Sequence, residues 1–231
     1  YILITLSAMI ASLGLIINSP AVVIGAMLVA PLMSPIVGTG LAVVLGDAIF
    51  LRRSIGTVLK GALLGVLVGA LAGLLYLDQP LNSELMARTQ PSLIDLGIAL
   101  FSGLAGAYAL CRSDAAGALP GVAIAAALVP PLSTIGVTFT TGYFAESLGA
   151  TLLFITNFVA ISSATAIMFL VLGFRPTIDR KTREEVRTRS VRMALLLLVL
   201  VAGMLVVFTY QLAQEQARDG RIREVVRIEL A

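Results

Sequence analysis

The chain alternates long apolar runs with short polar breaks. A run of about 20 apolar residues is long enough to cross a bilayer as a helix. Seven such runs are present, at about 1–17, 20–48, 55–77, 93–112, 116–141, 147–173 and 191–213. The pattern predicts an all-α integral membrane protein with about seven transmembrane helices. The breaks differ in charge. Arg52 and Arg53 precede the third run, with Lys60 just inside it; Arg112 lies between runs 4 and 5; and 175–192 holds seven basic against three acidic residues. The remaining breaks carry Asp78, Glu84, Arg88 and Glu146 and are poor in positive charge. Basic loops stay on the cytoplasmic side of a membrane. The expected arrangement therefore has the N-terminus and the basic loops in the cytoplasm and the C-terminal tail outside, in a bacterial or archaeal cell (inner) membrane.

A phrase recurs within this frame. "PAVVIGAMLVAPL" at 20–32 and "PGVAIAAALVPPL" at 120–132 share eight of 13 positions without a gap, where roughly two are expected by chance in so apolar a chain. The first copy lies in run 2 and the second in run 5. Three spans separate them, so the second copy crosses in the opposite sense. "SIGTVL" (54–59) and "SLGATLL" (147–153) extend the match weakly. The organisation expected is a 3+3 inverted-topology repeat (1–77 and 93–173), a basic cytoplasmic loop (174–190), one extra C-terminal span (191–213) and a charged tail (214–231).

Prolines fall near the middle of both spans: Pro31 and Pro35 in span 2, Pro130 and Pro131 in span 5. Proline has no N–H and clashes with the carbonyl four residues earlier. Pro31 is thus expected to free the Met27 carbonyl and Pro131 the Ala127 carbonyl. Ser34 before Pro35 reads as an N-cap followed by proline at the first helical position, and Ser133–Thr134 follow the second break. Spans 2 and 5 become discontinuous helices whose breaks meet at the midplane, as in many secondary transporters. A proline kink that only shapes the bundle is the plainer alternative. Asn157 is the most polar side chain deep in any run, fit either to line a site or to bond a neighbouring helix. Gly61, Gly65, Gly69 and Gly73 form an i, i+4 stripe that lets another backbone approach closely.

Composition narrows the chemistry. The chain has 231 residues, 58% hydrophobic and 13% charged, with a mean hydropathy of +1.01, no histidine and a single cysteine, Cys111. Ser–His nucleophile pairs, HExxH zinc sites and bis-histidine haem are excluded, as are cysteine-rich metal sites. No acidic pair sits mid-span, and no phosphate-binding glycine loop is present. No enzyme, metal site, cofactor or nucleic-acid partner is expected. The apolar run opens directly at Tyr1 without a basic leader, which predicts that more chain precedes it.

"GLIINSPAVVIGAMLVAPLMSPIVG" (14–38), "GVAIAAALVPPLSTIG" (121–136) and "LLFITNFVAI" (152–161) resemble the bacterial and archaeal membrane family catalogued as domain of unknown function 389. The resemblance covers roughly 1–173 and implies a multi-pass inner-membrane protein. It supplies no substrate. From the residues themselves, the leading expectation is a transporter or channel for a small polar solute or ion, with Met27, Pro31, Ser34, Pro35, Ala127, Pro130, Pro131, Ser133, Thr134 and Asn157 at its site. The alternative is a non-transporting assembly or signalling module that uses the glycine stripe as its interface. The partners expected are the lipid bilayer, the solute, and a second copy in a homodimer.

Overall fold

The computed structural model describes residues 1–77, 79–111 and 128–174, and beyond them only single helical positions at Arg192, Leu196, Val199 and Gly203. Among the described residues there are helices and connections and no strands. The helices are α1 (Ile2–Ile16), α2 (Pro20–Val29), α3 (Met33–Leu45), α4 (Ala48–Gly73), α5 (Ser83–Met86), α6 (Leu93–Leu110), α7 (Val129–Thr140) and α8 (Phe144–Val171).

Local chemistry sets these boundaries. Pro20 opens α2, where its missing N–H costs nothing. α3 ends on Gly46 in the left-handed conformation, at φ 69°. The Asp47 carboxylate accepts the Phe50 N–H at 2.8 Å and starts α4. The stretch 48–54, read from sequence as a connection, is therefore helical, and Arg52 and Arg53 lie on α4. At α6 a capping box joins Ser92 and Asp95: each side chain accepts the other's backbone N–H, at 3.3 and 2.9 Å.

Among the described residues three helices, α4, α6 and α8, are long and apolar enough to cross a membrane. The pair α2–α3, bent by 60° at its break, counts as a fourth if it forms one span. α1 has 15 residues, about 22 Å of helix against a hydrocarbon core of about 30 Å. α7 corresponds to the last part of the fifth apolar run; residues 112–127 lie outside the described residues, as do the basic loop 175–190, most of the seventh run and the tail. The single-turn α5 was not foreseen from sequence. Asn82 holds it in place, donating to the carbonyls of Leu15 (2.7 Å) and Ile16 (3.2 Å) and accepting the Leu85 N–H. Asn18, at φ 56°, accepts from Ser83 Oγ and the Glu84 N–H, both at 3.0 Å.

α4 and α8 organise the packing. α4 carries α1, α3 and α7; α8 carries α3, α6 and α7. Small residues bring the backbones together. A Cβ on Gly40 of α3 would lie 2.7 Å from the Ser162 carbonyl, and one on Gly103 of α6 would lie 2.7 Å from the Ile161 carbonyl. Leu59, Leu63, Leu67 and Leu71 line the outside of α4 and are 51–62% exposed. Burying one leucine is worth about 1.5–3 kcal/mol. Four left with somewhat more than half their surface in water would forgo about 3–7 kcal/mol, a large part of the stability of a typical domain. Faces of this kind belong against lipid, and the protein is a membrane protein.

Candidate functional site: the paired helix breaks

The first break occupies three residues between α2 and α3. Ala30 is extended (φ −75°, ψ 120°), and Pro31 offers no N–H to the Met27 carbonyl. That carbonyl is not left open, contrary to the sequence expectation, because the Ala30 N–H closes onto it at 3.4 Å, one residue early. Ala26 thereby loses its own helical donor, and its carbonyl accepts the Ser7 hydroxyl of α1 at 2.7 Å. Ser7 is buried. Sequence reading missed it, since a lone serine in an apolar run shows no partner; its signal is its place on the same face as the small residues Ala8 and Ala11.

α3 begins with Leu32 as N-cap and no side-chain cap. Ser34 is thus the second helical residue and Pro35 the third, not an N-cap and first position. The reason is that all of the first N–H groups of a helix lack partners, so proline fits at the third position as well. The Pro35 carbonyl accepts the Thr39 hydroxyl at 2.9 Å. Met27 is buried, Pro35 is half-buried, and Pro31 and Ser34 are exposed.

The second break is described from Leu128 onward, so Ala127 lies outside the described residues. α7 starts at Val129 with Pro130 and Pro131 inside its first turn, and both prolines are buried. The Ser133 hydroxyl donates to the Ala8 carbonyl of α1 at 3.3 Å. Thr134 is 0% exposed, and its hydroxyl has no hydrogen-bond partner. The Ser162 hydroxyl on α8 is also buried without a partner. Asn157 is buried on α8, the helix that packs against both α3 and α7.

The glycine row of α4 brings the two breaks together. A Cβ on Gly61 would meet Leu32 at 3.1 Å, and one on Gly65 would meet Leu132 at 3.2 Å. Leu32 and Leu132 hold the same place in the two proline phrases, and they seat one helical turn apart on one helix. Further along, Gly69 faces the Ser133 backbone and Gly73 faces Val137 and Thr140. The Thr140 hydroxyl adds a bond to the Ala70 carbonyl at 3.1 Å. All four glycines are buried and covered from within the chain, so the row is not an open face for a second copy.

The site is uncharged. Among the described residues the single ion pair joins Arg88 and Glu84, at 3.4 Å, on and just after α5, and no cluster of metal-ligating side chains occurs. What the breaks offer a solute is hydroxyls and backbone dipoles.

Comparison with known proteins agrees on kinship. The family model "Domain of unknown function (DUF389)" matches residues 27–163, a span that includes both breaks and Asn157. An uncharacterised protein of Methanocaldococcus jannaschii is 29% identical over 210 residues, which is 90% of this chain and 65% of that protein. The chain thus spans about two-thirds of the length of that relative. No solved structure matches. With more than half of its length under the family model, the chain belongs to the DUF389 family.

Proposed function

We propose that the protein is a transporter or channel for a small polar solute or ion, with its site between the two helix breaks near the membrane midplane. The carrying observation is Thr134. A fully buried hydroxyl without a partner costs about 1–3 kcal/mol, and a bound solute or ion would remove that cost. It lies in the second turn of α7, three residues after the paired prolines, next to the break in the second proline phrase.

The packing supports an inverted 3+3 arrangement, with spans 2 and 5 discontinuous and one further C-terminal span. Exchanging α1 with α6, α3 with α7, and α4 with α8 preserves the contacts: α3 packs on α8 as α7 packs on α4, α3 on α4 as α7 on α8, and α1 on α4 as α6 on α8. In this reading the protein is not an enzyme and needs no cofactor or metal. It lies in a prokaryotic cell membrane with the N-terminus and the Arg52–Arg53 end of α4 in the cytoplasm and the tail outside. Any homodimer uses a face other than the glycine row.

Thiol accessibility tests the reading. In a Cys111→Ser background, Ser34→Cys and Ser133→Cys are each exposed to a membrane-impermeant thiol reagent from either side of intact vesicles. The exposed Ser34 and the buried Ser133 describe one open and one closed break, so Ser34→Cys should label rapidly from one side and Ser133→Cys slowly from the other. Protection of both positions in folded protein overturns a watery pathway and leaves a packed joint.

A further inference from the structure

The outer face of α4 carries a second feature. A shallow groove on the surface of α4, open to the outside and walled by that helix alone, is lined by Ile49, Arg52, Arg53, Gly56, Thr57 and Lys60, among others. These positions recur at i, i+3, i+4, i+7, i+8 and i+11 and so share one helix face. The three cations are exposed, and among the described residues none forms an ion pair. Asp47, the nearest carboxylate in sequence, accepts the Phe50 N–H. Gly56 supplies the depression: a Cβ there would meet nothing within 4 Å. Helical side chains lean toward the N-terminus, so Lys60 reaches back over Gly56 toward Arg53. Above Lys60 the same face continues as the exposed leucines Leu63, Leu67 and Leu71.

A cationic pocket at the foot of an apolar, outward-facing strip is complementary to a molecule that is anionic at one end and a hydrocarbon chain beyond. We infer that this groove binds the phosphate headgroup of an anionic phospholipid, with an acyl chain lying along Leu63, Leu67 and Leu71. Arg52 and Arg53 supply the planar forks that suit phosphate oxygens. Lys60 adds a charge from within the apolar zone, where a long side chain extends to the interface. A soluble anion would use the three cations but gain nothing from the leucine strip, and this separates the two sources of phosphate.

The test uses the full chain in neutral detergent and native mass spectrometry with added phosphatidylglycerol, phosphatidylcholine or inorganic phosphate. Phosphatidylglycerol should be retained and phosphatidylcholine should not. Each basic residue near a membrane surface contributes about fivefold in affinity, so Arg52→Gln, Arg53→Gln and Lys60→Gln together should weaken retention about 100-fold. Gly56→Leu keeps every charge, favours the helix and fills the groove; it should also lose the lipid, which guards against a triple variant that fails to fold. Arg88→Gln should leave retention unchanged. Equal retention of phosphatidylglycerol by the triple variant or by Gly56→Leu overturns the inference. So does displacement of the lipid by equimolar inorganic phosphate, which would assign the cations to a soluble anion.

Discussion

Thr134 and Ser133 are neighbours in sequence with opposite roles. The Ser133 hydroxyl ties α7 to the Ala8 carbonyl, so Ser133→Ala should lower thermal stability by about 1 kcal/mol. Thr134→Val removes a hydroxyl that bonds to nothing and keeps the side chain's shape. Its stability to thermal unfolding in detergent should hold or rise by about 1 kcal/mol, while solute passage falls. A drop in stability equal to that of Ser133→Ala would remove Thr134 from the site. Ser7→Ala should cost more, about 1–3 kcal/mol, because the Ala26 carbonyl then stays buried and unpaired. Both hydroxyls after the second break could be read from the sequence as polar groups in an apolar run. Which of them is occupied could not, because Ala8 is 125 residues away. The same limit hid the difference between exposed Ser34 and buried Thr134, which hold the same place in the two repeats.

Among the elements, α4 offers the sharpest contrast. A Cβ on Gly69 would lie 2.5 Å from the Ser133 carbonyl oxygen, a backbone atom that cannot swing aside, whereas Gly56 on the opposite face has open space. Gly69→Leu should therefore destabilise the fold by about 3 kcal/mol or more through overpacking. Gly56→Ala should stabilise it by about 1 kcal/mol through helix propensity. Thermal unfolding of the two variants reads both directions; similar losses would mean that α7 does not seat on the glycine row. The break between α2 and α3 was legible because proline's effect on a helix is local. The start of α3 was misread because that effect is shared by every position in the first turn. α5 left no trace in the apolar pattern: it is one turn long and depends on Asn18 and Asn82, which join it to the end of α1.

For the whole molecule, the apolar runs foretold an all-helical membrane protein, since a bilayer admits few other solutions. The number of crossings was less legible. α1 and α7 are short, and the proline phrase that opens the fifth run lies largely outside the described residues. Orientation rests on loop charge. A reporter active only outside the cytoplasm, fused in the 141–143 turn, should be active, and one fused ahead of Arg52 should be silent. The reverse pattern would invert the topology without touching the fold.

The glycine row has a mechanical consequence. Helices that interlock through large side chains resist sliding, because each knob must climb out of its hole. From Gly61 to Gly73 the contact face of α4 presents no knobs of its own at every fourth residue, and what rests on those glycines are Ile4, Leu32 and Leu132, a stretch of α7 backbone and Thr140, whose hydroxyl bonds to the Ala70 carbonyl. α4 is a smooth rail in that direction. Leu32 and Leu132 are two runners on the same track, one turn apart, so neither can move a full turn toward the other unless the other gives up its seat.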